Sequence, residues 1–187
     1  KKPKPGHSVD PADPDSYRGI AVARSLCKLL MLVLTRRLTH WAILNDIISP
    51  PQAGFLPHLS CEHHVFTLLQ TIKERLRRRL PTYVLFVDFT KAYDLVHRSA
   101  LWHVLATMGV PHRLLTLLQN VNDARTCRVK VNGSLSEPYA SEAGVAQGDP
   151  MSCLLYVLYI ESLSRYLACG SSEHGVTTAG LRLTHLL

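Results

Sequence analysis

The decisive stretch of the sequence is Phe86-Val87-Asp88-Phe89-Thr90-Lys91-Ala92-Tyr93-Asp94-Leu95-Val96. It continues a β-rich apolar run, so residues 82–89 are predicted to form a buried strand that delivers Asp88 to a sheet edge. A carboxylate at the end of a rigid strand suits a divalent ion, because Mg²⁺ prefers carboxylate and phosphate oxygens. On this stretch alone, Asp88 also fits a helix N-cap or a salt-bridge partner.

The flanking sequence predicts helices, a hairpin and a final strand. Apolar residues recur at helical spacing from Leu26 to Leu38, and a second helix is predicted from about Ser60. A third helix is predicted over residues 98–108. Asn132-Gly133 favours a hairpin turn, and Asp149 is expected to cap an apolar helix that Pro150 opens. With a last strand from about residue 179, the layout is α+β, one sheet backed by helices. The apolar face of the second helix comprises Val65, Leu68, Leu69, Ile72 and Leu76.

The composition fits a folded, basic domain. Of 187 residues, 47% are hydrophobic, which is enough for one core and excludes disorder throughout. Lys and Arg number 21 against 14 Asp and Glu, a net charge of +7, so a polyanionic partner is one explanation and a merely basic protein is the other. The basic run at residues 73–79 fits a helix end that matches the helix dipole, a nucleic-acid patch or a nuclear-import signal.

The cysteines predict neither disulfides nor zinc. All five are widely spaced, and no pair has the two-residue separation of a zinc ribbon. Cys61, His63 and His64 lie close together, but no second ligand pair follows at a usable spacing.

The sequence contains no signal peptide and no membrane-spanning stretch that we recognise. Residues 1–6 are basic and no apolar stretch follows them, and no apolar run reaches the ~20 residues of a membrane helix. We therefore expect an intracellular protein, nuclear and cytoplasmic, with no membrane partner. Residues 1–16 are rich in Pro, Asp and Lys and are predicted to form an extended arm.

Four ordered motifs resemble those of reverse transcriptases from non-LTR (LINE-type) retrotransposons. Residues 86–96 resemble the family's first acidic motif, and residues 144–152, Gly-Val-Ala-Gln-Gly-Asp-Pro-Met-Ser, resemble its Gly-x-x-Gln-Gly-Asp-Pro-x-Ser motif. Residues 17–20 resemble the Tyr-Arg-Pro-Ile segment, with Gly19 in place of Pro, and residues 52–55 match Gln-x-Gly-Phe. Cys153 stands where the family has Pro.

The resemblance implies a metal site and a nucleotide site. Asp88 matches the first metal-binding aspartate and is the candidate catalytic residue, with the carbonyl of Phe89 as a backbone ligand. Two Mg²⁺ ions and a two-metal nucleotidyl transfer are implied. The implied nucleotide-binding residues are Arg18 at the triphosphate, Tyr93 as a steric gate against the 2′ hydroxyl, and Gln147 and Gly148 beside the nucleotide and template base.

The resemblance also implies a right-hand polymerase fold, with fingers over residues 1–80 and a partial palm with an antiparallel sheet over residues 81–187. The implied partners are an RNA template, a DNA primer and a dNTP. The family's second acidic motif, an aromatic residue followed by Ala-Asp-Asp, does not occur, and residues 181–187 resemble its lead-in. We expect this polypeptide, as given, not to synthesise DNA. A non-catalytic nucleic-acid-binding remnant of such an element is the alternative.

Overall fold

Five helices and six short strands make up the described chain. The computed structural model describes residue 13 and residues 19–169, 175–178 and 181–187. The helices are α1 (Ser25–Leu44), α2 (Cys61–Arg77), α3 (Arg98–Thr107), α4 (His112–Asp123) and α5 (Pro150–Cys169). The strands are β1 (Thr126–Cys127), β2 (Lys130–Val131), β3 (Ser134–Leu135), β4 (Tyr139–Ala140), β5 (Val176–Thr178) and β6 (Leu181–Leu183).

The helices form where the sequence predicts them, with one addition. Asp149 caps α5, because its Oδ1 accepts a hydrogen bond from the N–H of Met151 at 2.9 Å. Ser60 caps α2 in a capping box with His63. The addition is α4, a helix after Pro111 that was not predicted.

One apolar core joins α1 to α3, α4 and α5. Leu38 of α1 is fully buried and belongs to the same cluster as Leu101, Leu118 and Leu155 of the three later helices. This core crosses residue 80, the predicted boundary between fingers and palm. That division remains a prediction, and the extended arm over residues 1–16 lies outside the described residues apart from residue 13.

The apolar faces of α1 and α2 differ from those predicted. The buried stripe of α1 is Met31, Leu34, Leu38 and Ala42, while Leu26 is 79% exposed. On α2 the only buried residue is Thr71, so most of the predicted apolar face is exposed. Helical spacing identifies which residues share a face, but a neighbouring element decides which face is covered.

The predicted single sheet is wrong, although the α+β class is confirmed. Among the described residues, the strands form three separate antiparallel pairs: β1 with β4, β2 with β3, and β5 with β6. The β2–β3 hairpin turns at Asn132 and Gly133, both with positive φ, as predicted.

The buried strand predicted over residues 82–89 is also wrong. These residues take no strand assignment, and Tyr83 is 92% exposed and Phe86 81% exposed. A strand requires a neighbour for its N–H and C=O groups, and no described segment pairs with this one. A composition typical of strands was therefore not sufficient to form a strand here.

Candidate nucleotide-binding site

The loop of residues 144–149 packs against the segment that contains Tyr93. The N–H of Val145 donates to the carbonyl of Tyr93 at 2.9 Å, and that of Gly144 donates to the carbonyl of Val96 at 3.0 Å. Gly144 has a φ of 73°, and a Cβ there would lie 2.8 Å from the carbonyl oxygens of Tyr93 and Asp94. Only glycine permits this approach without displacement of the backbone.

The other end of the same loop contacts the segment that follows Arg18. The N–H of Ala21 donates to the carbonyl of Gln147 at 2.7 Å. Gly148 has a φ of 109°, and a Cβ there would lie 2.8 Å from the carbonyl oxygen of Ala21. The loop thus brings Tyr93, Gln147 and Gly148 into one region, with residues 20–21 beside it. Arg18 itself lies outside the described residues.

Two residues of α5 hold the ring of Tyr93. The ring stacks on Tyr156, with centroids 5.1 Å apart and planes inclined by 23°. Burial, followed by a hydrogen bond with the thiol of Cys153, raises the pKa of the Tyr93 hydroxyl above its ordinary value of 10. Sequence reasoning did not assign Cys153 and Tyr156 to the site. Their spacing of three residues, which puts both on one side of α5, is the only signal that would have suggested a pair.

Arg98 of α3 binds the backbone at the start of the loop, and the sequence did not predict this role. Its buried guanidinium donates to the carbonyls of Gly144 (2.9 Å) and Ala143 (3.1 Å) and to the hydroxyl of Ser141 (3.0 Å). Desolvation by burial, then the charge of Arg125, lowers the pKa of Arg98. The planar fork matches several acceptors at once, which explains an arginine here. A lone arginine at a helix start gives no sequence signal of this role.

Asp88 and Phe89 are not joined to this loop. Asp88 is exposed, and none of the described residues donates a hydrogen bond to it or forms an ion pair with it. Phe89 is 46% exposed. The structure therefore brings together three of the predicted nucleotide-binding residues but leaves the predicted metal ligands on an exposed, unpaired segment.

A model of the family described as reverse transcriptase (RNA-dependent DNA polymerase) matches residues 2–174. The chain belongs to the reverse transcriptase family. This reverse transcriptase segment contains the described loop, the Tyr93 segment and Asp88 within the matched range.

Its relatives are proteins of retrotransposable elements, as the four motifs predicted. It is 28% identical to a retrovirus-related Pol polyprotein from a type-2 retrotransposable element of Drosophila melanogaster, over 82% of this chain and 14% of the relative. It is 29% identical to the RNA-directed DNA polymerase from mobile element jockey of Drosophila funebris, over 83% of this chain and 17% of the relative. A Pol polyprotein from a type-1 element of Popillia japonica is 27% identical, over 86% and 22%.

These matches confirm the assignment to reverse transcriptases of non-LTR retrotransposons. The chain spans only 14 to 22% of the length of these three relatives. The activity, substrates and partners of a whole polymerase are therefore proposals for this chain.

Reverse transcriptases use divalent metal ions, and the described residues supply only part of such a site. Asp88 and the carbonyl of Phe89 would provide two oxygen ligands, whereas Mg²⁺ takes six in near-octahedral geometry. Across residues 13, 19–169, 175–178 and 181–187, no three His, Cys, Asp or Glu side chains are grouped to hold a metal. The described residues alone do not fit a two-ion site.

In the cluster of Cys61, His63 and His64 at the start of α2 of this reverse transcriptase segment, His63 has a structural role. The N–H of Ser60 donates to Nδ1 of His63 at 3.0 Å, so that ring nitrogen is occupied by the capping box. Burial, together with the neighbouring His63, lowers the pKa of His64.

The basic run at residues 73–79 is partly used within the chain. Nε of Arg78 donates to Glu74 at 2.8 Å, and Arg75 donates to the carbonyl of Pro81 and to the hydroxyl of Thr82. Lys73, Arg77 and Arg79 are exposed. Arg77 also lies 3.7 Å from Glu74, so three of the arginines have partners within the chain. The helix-end, nucleic-acid and nuclear-import explanations of the run all remain predictions.

Of the helices in the described part of the chain, none combines the length and the apolar character needed to cross a membrane.

Proposed function

We propose that this chain forms the nucleotide-binding part of an RNA-directed DNA polymerase of a non-LTR retrotransposon, with an RNA template, a DNA primer and dNTPs as its ligands. The observation that carries the proposal is the loop of residues 144–149. Its backbone is hydrogen-bonded to Tyr93 at one end and to Ala21 at the other, so three separate motifs meet there.

The proposal gives a role to each predicted nucleotide-binding residue, and the geometry supports those of Tyr93 and Gln147, while Arg18 lies outside the described residues. The carbonyl of Gln147 is occupied by Ala21, but its half-buried side-chain amide makes no hydrogen bond to the described residues and is available to a nucleotide. Gly148 permits the close approach of the Ala21 backbone, which holds this end of the loop in place. The ring of Tyr93, held by Tyr156, would block a 2′ hydroxyl and so select deoxynucleotides. Arg18 supplies a forked cation for the triphosphate.

The metal in this proposal is Mg²⁺, two ions in the complete enzyme. Asp88 and the carbonyl of Phe89 contribute ligands, and the remaining ligands come from residues outside the described part. When bound, such ions activate the attacking hydroxyl and hold the leaving phosphates. The division into fingers (residues 1–80) and palm (residues 81–187) of a right-hand polymerase, and action in the nucleus and cytoplasm, belong to the same proposal.

Nucleotide binding and catalysis are tested separately on this chain. We expect dNTP with Mg²⁺ to shift the NMR signals of Gln147, Gly148 and Tyr93 and to leave those of the Asn132–Gly133 turn unchanged. The β2–β3 hairpin is a control because none of its residues belongs to the loop region. Shifts confined to other parts of the chain would contradict the proposed nucleotide site.

We expect no primer extension when this chain is incubated with primed RNA, dNTPs and Mg²⁺. A single unsupported carboxylate at Asp88 does not hold two divalent ions against a triphosphate. Gel analysis of a labelled primer is the measurement, with an active reverse transcriptase as the positive control. Extension that disappears in Asp88→Asn would refute the expectation and would place the complete site in this chain. Binding of primed RNA without any dNTP shift would favour the non-catalytic remnant instead.

A further inference from the structure

A row of hydrogen-bonded side chains, buried at Glu161 and Ser164 and half-buried elsewhere, joins three parts of the chain away from the loop of residues 144–149. Ser49 lies after α1, Glu161 and Ser164 lie on α5, and Thr184 and His185 follow β6. Oγ of Ser49 donates to Oε2 of Glu161 at 3.1 Å and lies 2.6 Å from Oγ of Ser164. Nε2 of His185 lies 2.7 Å from Oγ of Ser164, and its Nδ1 lies 2.8 Å from the hydroxyl of Thr184.

The donor and the acceptor in each hydrogen bond of this row can be assigned, because the row ends at the carboxylate of Glu161. Ser49 donates its single hydroxyl proton to Oε2 of Glu161, so it has no proton left for Ser164. Ser164 must then donate to Ser49, and its oxygen accepts a proton from Nε2–H of His185. In a neutral imidazole the other nitrogen is an acceptor, so Nδ1 receives the hydroxyl proton of Thr184. One tautomer and one set of hydroxyl orientations satisfy the whole row.

The row is buried where it crosses α5. Glu161 and Ser164 are both 0% exposed, and a carboxylate in such a place requires compensation. Nε of Arg165 lies 3.6 Å from Oε1 of Glu161, an oxygen that accepts no hydrogen bond from the described residues. The same guanidinium donates to the carbonyl of Ile47 at 2.9 Å, so it ties α5 to the segment before Ser49.

The backbone beyond His185 is paired with the segment at residues 51–53. The N–H of Leu187 donates to the carbonyl of Pro51, and the N–H of Ala53 donates to the carbonyl of Leu187, both at 2.8 Å. The Gln52 side chain is buried and accepts the N–H of Gly54 at 2.7 Å, which shapes this segment for the pairing. Residues 184–187 are thus held by side chains on one side and by backbone on the other.

We propose that the hydrogen-bond row from Thr184 to Glu161 is a latch that positions residues 184–187 on α5 and on residues 49–53, and that Ser164 and His185 are its positioning residues. The latch is inferred from contacts that do not depend on polymerase activity. Its relevance to catalysis rests on the proposed function, because residues 181–187 resemble the lead-in to the family's second acidic motif.

Acid is expected to open the latch. Burial, opposed by the weaker attraction of Glu161, lowers the pKa of His185 from its ordinary value of 6.5. The unfolded or detached segment therefore binds a proton more readily than the latched one, so the stabilisation is complete above pH 6.5 and is lost as pH falls through the lowered pKa. Among the described residues, the charged groups that line the same pocket as Ser49 are Glu161 and Arg165 from α5, and Asp46.

The test is amide hydrogen exchange at Leu187 and Ala53 in the whole chain, followed by NMR over a pH series. Measured rates are corrected for the intrinsic pH dependence of exchange. We expect protection of both amides to fall as the pH drops below 6.5. His185→Leu removes the hydrogen bonds to Ser164 and Thr184 and should lower protection about tenfold or more at neutral pH. His185→Gln, which keeps an N–H donor without a titratable ring, should remove the pH dependence. His103→Gln, at an exposed position on α3, is the control and should change neither.

Two results would overturn the latch. One is protection of Leu187 and Ala53 that does not change with pH in the unaltered chain. The other is unchanged protection in His185→Leu. If His185→Leu does not fold, Ser49→Ala provides the second measurement, since it interrupts the row between Ser164 and Glu161. These readouts are independent of nucleotide binding, so failure of the polymerase proposal leaves them interpretable.

Discussion

At position 148, both the sequence motif and the packing require glycine. Its φ of 109° disfavours any L side chain, and a Cβ would meet the backbone of Ala21 at 2.8 Å. Gly133 has a positive φ of 86° in the β2–β3 turn, yet nothing lies within 4 Å of a Cβ placed there. Both glycines have a positive φ, but of the two only Gly148 makes a close backbone contact. Comparing them therefore distinguishes the cost of a positive φ from the cost of that contact.

We expect Gly133→Ala to lower the free energy of unfolding by about 1–2 kcal/mol, the cost of a side chain at positive φ. Gly148→Ala should cost more and should also expose the Ala21 amide, because the loop must withdraw from residues 20–21. Urea unfolding measures the first effect and hydrogen exchange at Ala21 the second. Equal losses in the two variants, with the Ala21 amide still protected, would contradict the close approach.

At the scale of the elements, residues 82–89 show most clearly that a local preference for extended backbone does not by itself produce a paired strand. The side chains favour an extended backbone, and Arg75 fixes the start of the segment through Pro81 and Thr82. Neighbouring strands to accept its N–H and C=O groups are absent among the described residues. By contrast, α5 satisfies its own backbone and buries Leu155, Val157 and Leu158.

Amide hydrogen-exchange rates should therefore differ sharply between these two elements. The amides of residues 83–87 are expected to exchange at nearly the intrinsic rate, because they are exposed and unpaired. Those of residues 154–158 should be protected by helical hydrogen bonds and burial. Mass spectrometry of peptides from the two segments makes the comparison in one sample. Strong protection over residues 83–87 would indicate a partner strand and would restore the buried-strand prediction.

At the scale of the whole molecule, one core crosses the predicted boundary at residue 80. α1 comes from the predicted fingers, while α3, α4 and α5 come from the predicted palm, yet their apolar residues form a single cluster. Leu38 is fully buried in it, whereas Leu26 on the same helix is 79% exposed. The stability of the two predicted parts should therefore be coupled.

Leu38→Ala is expected to lower the free energy of unfolding by roughly 2–5 kcal/mol, the usual cost of a cavity at a buried leucine. It should also reduce the protection of α5 amides. Leu26→Ala makes the same chemical change in the same helix and should cost less than about 0.5 kcal/mol. Thermal or denaturant unfolding gives both values. A Leu38→Ala variant that loosens α1 but leaves α5 unaffected would show two independent units.

The sequence by itself determined four of the five described helices, the β2–β3 turn, the Asp149 cap and the family. Each of these depends on near neighbours in the chain or on motifs that are read directly, such as residues 86–96 and 144–152. The candidate residues Tyr93, Gln147 and Gly148 also came from the sequence.

Only the tertiary structure decided which surfaces are covered and which distant groups meet. Arg98 of α3 contacts the loop of residues 144–149, and Cys153 and Tyr156 of α5 contact Tyr93. Apart from the three-residue spacing of the last two, no local pattern marks these roles. The segment at residues 82–89 shows the converse case, a local pattern without its long-range partner. The physical reason is the same in both cases. Strand pairing and burial are supplied by residues far away in the sequence, whereas helix and turn formation depend on neighbours a few positions apart.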